Sequence, residues 1–255
     1  VKLSVVIITR NEEANIGRCL DSVRFADEWI VIDSQSTDAT CEIAQEKGAR
    51  VCECDWEGYG PAKREGVARA EGEWVLALDA DEVVSAPLAA QIRQVVNGTE
   101  GPVGYRFPRK THFLSRWILH CGWYPDYQLR LFRRDRGNFT DDVVHEYVEV
   151  DGEVGMLTGD LLHYSDPNLE HYLEKFNRYT TIGAQEAFAA GRRASTSDIV
   201  VRPVVSFLKH YVSKQGFRDG MEGFILSALS SMAVLVKYSK LRHLAYRKRQ
   251  EGETA

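Results

Sequence analysis

Residues 3–13 read LSVVIITRNEE, and the order of residue types in this stretch decides the fold class. Leu3 to Ile8 is, apart from Ser4, an apolar run rich in β-branched side chains, the composition of a strand buried on both faces. Thr9-Arg10-Asn11-Glu12-Glu13 is a polar turn, after which Ile16, Cys19, Leu20 and Val23 recur at helical spacing. The same order repeats downstream. Trp29 to Ile32 is a second strand ending at Asp33, Ser34 to Thr37 is a turn, and Ala39 to Lys47 is a helix stopped by Gly48. Ala49 to Glu53 is a third strand, and Gly58-Tyr59-Gly60-Pro61 leads into a helix over Ala62–Ala70. Trp74 to Leu78 is a fourth strand, ending in Asp79-Ala80-Asp81-Glu82. Short apolar strands alternating with helices predict an α/β fold with a doubly wound, mainly parallel sheet flanked by helices.

Past Gly98 the pattern changes. Val103 to Phe107 and Gln128 to Arg133 read as strands around an aromatic-rich loop, with two more strands ending near Val150 and Tyr164. Asp166-Pro167 is a helix start with proline at the first helical position, and Leu169, Tyr172, Leu173 and Phe176 follow at helical spacing. The expected organisation is a catalytic domain over 1–165, divided into 1–98 and 99–165, and a helical C-terminal extension over 166–255 facing a membrane or a second copy.

With 255 residues, 44% hydrophobic and 27% charged, the chain has apolar material for one sizeable core and a small appended module. Val1 to Arg10 already reads as a strand, so no secretory leader is expected. Five cysteines without a C-x-x-C pair point to neither a disulfide framework nor a zinc site. The formal charge of −5 conceals a split. Residues 199–250 carry ten Lys and Arg against Asp219 and Glu222, a net of +8, whereas residues 1–198 are net −11. Such asymmetry suggests a tail that meets a polyanion. Nucleic acid is not the expected partner, because the rest of the chain is acidic and carries no recognition motif.

Ligands of open parallel sheets bind beyond the carboxyl ends of the strands. Thr9-Arg10-Asn11-Glu12, Asp33 and Asp79-Ala80-Asp81 all fall there, although helix caps and turns use the same residue types. Three carboxylates within Asp79-Ala80-Asp81-Glu82 repel one another unless something compensates, and a hard divalent ion bridging to phosphates is the expected compensator. Neither G-x-G-x-x-G after the first strand nor G-x-x-x-x-G-K-[ST] occurs, which removes the signatures of dinucleotide dehydrogenases and P-loop NTPases.

VVIITRNEEANIGRCLDSV, VIDSQSTDATCEIAQEKGA and EGEWVLALDADE resemble inverting family 2 glycosyltransferases of the GT-A fold. GWYPDYQLRLFRR, DDVVHEYV, GDLLHYS and HYLEKFNRYTT are similar to the bacterial subgroup that includes lipopolysaccharide core glucosyltransferases. The resemblance implies transfer of a hexose from a nucleotide-diphosphate sugar, UDP-linked, to a lipopolysaccharide core or lipid-linked saccharide. A sugar nucleotidyltransferase, or a non-catalytic saccharide- or nucleotide-binding module on the same fold, is the alternative.

By that resemblance Thr9, Arg10, Asn11 and Glu12 line the nucleotide pocket and Asp33 holds uracil or ribose. Lys63 or Arg64 offsets diphosphate charge, Asp79 and Ala80 face the ribose or donor sugar, and Asp81 binds Mg²⁺ or Mn²⁺. His163 either completes the metal shell or is a strand histidine without that task. Inverting transfer needs a general base; Glu146 is favoured, with Asp126 as the second candidate. Trp117, Trp123 and Tyr124 stack on acceptor sugars or pack in a core, and Arg130 reaches the diphosphate or is an exposed strand residue.

Gly223 to Val236 is about fourteen mostly apolar residues, too short to span a bilayer of ~30 Å at ~1.5 Å per residue. Lys237, Lys240, Arg242, Arg247, Lys248 and Arg249 follow. An apolar helix beside cations fits an anionic membrane surface, with the protein peripheral on the inner face of the cytoplasmic membrane; packing on the catalytic domain or in a homodimer is the alternative.

Overall fold

A computed structural model describes residues 2–140, 147–166 and 168–253. These form two compact units, one of residues 1–110 and 125–165, the other of residues 111–124 and 166–255.

In the first unit, strands β1 (Leu3–Thr9), β2 (Glu28–Asp33), β3 (Arg50–Glu53) and β4 (Trp74–Asp79) lie side by side in the order β3-β2-β1-β4, all parallel. Every residue of β1 is buried, which is why Val5 to Ile8 are apolar in succession instead of alternating; the polar Ser4 and Thr9 are buried near its ends. The helices α1 (Ile16–Ser22), α2 (Thr40–Glu46) and α3 (Tyr59–Arg69) connect these strands. They divide the core between two faces. Val5, Ile7, Leu76 and Leu78 pack with Ile16 and Leu20, while Val6, Ile8, Val75 and Ala77 pack with Ala62 and Val67. Gly66 lets α3 approach β1, since a Cβ there would sit 2.1 Å from the Val6 side chain.

Beyond β4 come β5 (Glu82–Val84) and α4 (Ala86–Asn97), which the sequence reading passed over. The helix is signalled locally: Ser85 caps it by accepting from the Leu88 N–H, and Pro87 lies in its first turn. The sheet then turns antiparallel. Strand β6 (Gly104–Phe113) runs well past the expected Phe107, and β7 is Arg116–Trp117. Strands β8 (Asp126–Arg133), β9 (Gly137–Phe139), β10 (Val148–Val150), β11 (Val154–Met156) and β12 (Leu161–Asp166) follow. The order continues β4-β8-β6-β12-β5, and β9 pairs with β10 in a separate ribbon. The result is the expected mixed, mostly parallel sheet flanked by helices.

In the second unit, α5 (Leu169–Ala189) starts two residues later than expected. Asp166 ends β12, and Asn168 caps the helix by accepting from the His171 N–H; Pro167 lies outside the described residues. Helix α6 (Thr196–Leu208), a wider turn over Lys209–Ser213 and a short turn over Gly216–Asp219 lead into α7 (Gly220–Glu253). Both α5 and α6 pack against α7. The sequence reading of a fourteen-residue apolar segment needs correction. The stretch Gly216–Lys248 is long and apolar enough to cross a membrane by length and composition, because the helix continues unbroken past Lys237 and Lys240.

Candidate active site

Register carries the first set of candidate residues to one edge. On the parallel strands Thr9 pairs with Asp33 and Ile8 with Asp79, so three strands end together. The loops beyond them are laced by short polar bonds. Asp33, 1% exposed, accepts from the Ser36 N–H (2.9 Å) and hydroxyl (2.5 Å). The Asn11 N–H donates to Ser36 Oγ, Asn11 Oδ1 accepts from the Thr37 N–H, and the Glu12 N–H donates to Thr40 Oγ1, each at 2.8 Å. Asn11 holds a left-handed backbone (φ 55°), a conformation asparagine tolerates better than most residues. Arg10 is exposed, and Thr9 Oγ1 is buried with no hydrogen-bond partner among the described residues. Asp33 therefore shapes a turn as well as lying in the place expected for a nucleoside ligand.

Asp79 closes β4 inside a chain of alternating charges. Its Oδ1 lies 3.0 Å from Lys63 Nζ and its Oδ2 3.0 Å from Arg130 Nη2. Lys63 is only 2% exposed, beneath the ring of Phe139, whereas Arg64 beside it is partly exposed. Arg130 is buried, so it is not the exposed strand residue that was one of its two readings. Burial alone would raise the Asp79 carboxyl, but the charges of Lys63, Arg130 and Arg109 outweigh it and hold the group well below the usual carboxylate range.

Glu82, fully buried, accepts from the Asp79 N–H (2.9 Å) and lies 3.4 Å from Arg109 and 3.7 Å from Arg130. Arg109 Nε and Nη2 donate to Asp126 Oδ2 at 3.0 and 2.7 Å, and Gln128 Nε2 donates to Asp126 Oδ1 at 2.8 Å. Arg109 and Asp126 are direct cross-strand neighbours on β6 and β8. Three carboxylates (Asp79, Glu82, Asp126) are thus matched by three cations (Lys63, Arg130, Arg109). This corrects the expectation that the Asp79-Ala80-Asp81-Glu82 cluster needs a metal to relieve its repulsion, because side chains distant in sequence already do so for two of its members.

Asp81 faces a histidine of β12. Its Oδ2 lies 3.2 Å from His163 Nε2, with the two side chains 16% and 14% exposed. The antiparallel β12–β5 pairing sets His163 opposite Glu82, and the Tyr164 N–H donates to the Asp81 carbonyl. Burial would lower the imidazole, yet the hydrogen bond and charge of Asp81 prevail and leave His163 above its ordinary value. No group of three or more His, Cys, Asp or Glu side chains able to hold a metal is assembled among the described residues. The Asp81 carboxylate is nevertheless a donor suited to Mn²⁺ or Mg²⁺, ions that take one or two carboxylates and complete their shell with water and substrate phosphates, and the imidazole beside it is a further donor for the softer Mn²⁺.

Glu146 lies outside the described residues. Trp117, Trp123 and Tyr124 belong to the second unit. There Trp117 packs edge-on to His112 on β6, Trp123 packs edge-on to Phe113 in an apolar cluster with Ile118 and Leu226, and Tyr124 is partly buried. Sequence reasoning missed Arg109 and gave Glu82 no role. Glu82 could have been found from its place at the end of the acidic turn; Arg109 carries no local signal, since its partners arrive through strand pairing.

The model of glycosyl transferase family 2 matches residues 4–148. An uncharacterized glycosyltransferase of Rickettsia typhi is 30% identical, the match covering 97% of this chain and 89% of the relative. The lipopolysaccharide core biosynthesis glycosyltransferase LpsC of Rhizobium meliloti is 28% identical over 94% of this chain and 91% of its own length. Among solved structures, S. aureus TarS 1-349 in complex with UDP aligns over 98% of this chain and 92% of that one, with 16% identity and a TM-score of 0.48.

Proposed function

The chain belongs to glycosyl transferase family 2 and is a glycosyltransferase, and from that premise we propose that it moves a hexose from a UDP-sugar, with inversion, to a lipopolysaccharide core or lipid-linked saccharide. The observation that carries this reading is the joint placement, at the strand ends, of Asp79 locked between Lys63 and Arg130 and of the adjoining Asp81–His163 pair. The acceptor class rests on the likeness to LpsC along nearly the whole chain.

In this reading the loop of Thr9 to Glu12 and Asp33 hold the nucleoside. The buried Thr9 hydroxyl and the remaining lone pairs of Asp33 offer hydrogen bonds to base or ribose. Lys63 serves by fixing Asp79, which with Ala80 lines the donor, and the more exposed Arg64 offsets diphosphate charge together with Arg130. Asp81 and His163 are the residues that would hold Mg²⁺ or Mn²⁺, which when bound neutralises charge on the departing diphosphate. The acceptor hydroxyl attacks C1 as the bond from C1 to the phosphate oxygen breaks, and its proton passes to Glu146. Asp126 is the weaker candidate because Arg109 and Gln128 already engage both of its oxygens. Trp117, Trp123 and Tyr124 are assigned to acceptor sugars, and the helical C-terminal extension, 166–255, to the inner face of the cytoplasmic membrane.

A screen of UDP-sugars with Mn²⁺, reading released UDP, tests the assignment: one donor should be turned over in preference, and nucleoside triphosphates should yield no pyrophosphate. In the same assay Glu146→Gln should lower transfer at least 100-fold with nucleotide binding intact. Full activity of Glu146→Gln alongside loss in Asp126→Asn would reverse the choice of base.

A further inference from the structure

We propose that the outer face of α6 and of the turn that follows it docks onto an anionic lipid bilayer. The proposal rests on the membrane-facing reading above and moves the contact from the basic end of α7 to a different surface.

Helix α6 is apolar on its outer side. Pro203 is buried against α7, its carbonyl accepting from the Ser231 hydroxyl, and Phe207 packs edge-on to Phe224 of α7. The other side carries Val200, Val201, Val204, Val205, Leu208 and Val212, each between 51% and 60% exposed. Their spacing repeats about every four residues, one continuous stripe along a helix. Phe217, in the short turn before α7, and Met221, at the start of α7, add two more exposed apolar side chains. Isolated exposed valines need no explanation, but a whole helix face of them marks an interaction surface.

The charge around the stripe selects its occupant. Between Asp198 and Asp219 the sequence has no acidic residue, while Lys209, Lys214 and Arg218 are exposed. The acids at either end are engaged within the unit. Asp198 pairs with Arg202, and buried Asp219 accepts from the His120 N–H (2.7 Å) and faces His120 Nδ1 (2.9 Å). Glu222, at the start of α7, accepts from the Ser115 hydroxyl. A second copy seated face to face would bring the two sets of cations together without intervening acids, whereas anionic headgroups compensate them while the valines enter the acyl boundary.

Helix α7, apolar enough to span by composition, is instead the central helix of its unit. Leu226, Ser227 and Leu241 are fully buried, and the three N–H groups of Lys240 Nζ are shared among Asn177 O and Oδ1 and the hydroxyls of Thr180 and Thr181 on α5, all within 3.0 Å. Spanning would require stripping α5 and α6 from it. A helix lying in the interface keeps every one of these contacts.

Sedimentation of the full chain with phosphatidylcholine vesicles, with and without phosphatidylglycerol, tests the proposal. The unaltered protein should partition at least 10-fold better onto the anionic vesicles and lose most of that gain in high salt. Val200→Ser with Val204→Ser and Leu208→Ser should reduce partitioning at least 10-fold, and each of Lys209→Ala, Lys214→Ala and Arg218→Ala about 5-fold. Val204→Trp, which adds apolar surface at a position where nothing has to repack, should tighten it. Arg247→Ala with Lys248→Ala should change it less than 2-fold.

Unchanged partitioning of the triple serine variant, or loss confined to the Arg247 and Lys248 variant, overturns the assignment to α6 and leaves the membrane reading standing. Absence of vesicle binding by the unaltered protein overturns both. Dimer dissociation in the serine variant without any vesicle binding identifies a second copy as the occupant. Nucleotide binding measured on the same samples reports separately on the transferase reading.

Discussion

Lys63 shows how much of this site depends on single charges. Its ammonium is buried beside a carboxylate that is partly open to solvent, so removing the cation leaves an anion whose desolvation is no longer matched. Lys63→Met preserves the aliphatic stem against Phe139 and isolates the charge. It should destabilise the chain by about 3 kcal/mol, the low end of the range for a broken buried pair, because Arg130 still contacts Asp79. Urea denaturation at neutral pH reads that cost, and a loss below about 1 kcal/mol would show the pair to be solvated. Glu82 is the less visible partner, since one buried carboxylate both fixes the Asp79 backbone and lies between two guanidinium groups. A position named in the sequence only as part of an acidic run is, in three dimensions, the buried anion that Arg109 and Arg130 share with Asp126 and Asp79.

The elements were legible wherever periodicity was strong. Strands β1 to β4 and helices α1 and α2 follow the pattern of apolar runs and polar turns within a residue or two, since β1 and β2, with two parallel neighbours each, are apolar on both faces; α3 begins at Tyr59, three residues before the expected Ala62. Legibility fell beyond Glu82, where strands are short or half-covered and the period is weak. The extension of β6 to Phe113 depends on pairing with β8 and β7, which no local window contains. Asn168 prevailed over Asp166 as the cap of α5 because Asp166 is held in a strand. The start of β1 offers a test of pH dependence. The exposed Asp27 carboxylate accepts from the Leu3 and Lys2 N–H groups at 3.0 and 2.9 Å, which holds its pKa below the ordinary value. Around that value the unfolded chain binds more protons than the folded one, so stability rises with pH there. The contribution is complete above about pH 4 and is lost as pH falls through the folded value. Asp27→Asn should therefore flatten the fall in the urea midpoint between pH 5 and pH 3, and an unchanged fall would remove Asp27 from the acid response.

At the scale of the whole molecule, a ligand that bridges several strand ends should act on global stability. UDP with Mn²⁺ at about 100 times its dissociation constant should stabilise the folded chain by about 2.7 kcal/mol, seen as a rise of several degrees in Tm. Asp81→Ala should abolish the Mn²⁺-dependent part and keep the nucleotide-dependent part; an undiminished Mn²⁺ effect would place the ion elsewhere. The sequence by itself determined the parallel half of the sheet, the line of polar strand ends and the family, since these depend on local periodicity and on motifs read in order along the chain. It also showed the charge asymmetry, though not which surface that asymmetry serves. Only the tertiary structure decided that Lys63, Arg130 and Arg109 neutralise the acidic turn, that His163 meets Asp81 across 81 intervening residues of chain, and that α6 turns its valines outward. Each is a matter of which residues become neighbours when strands pair or helices pack. Charge compensation and burial belong to the neighbours in space, which local sequence does not specify.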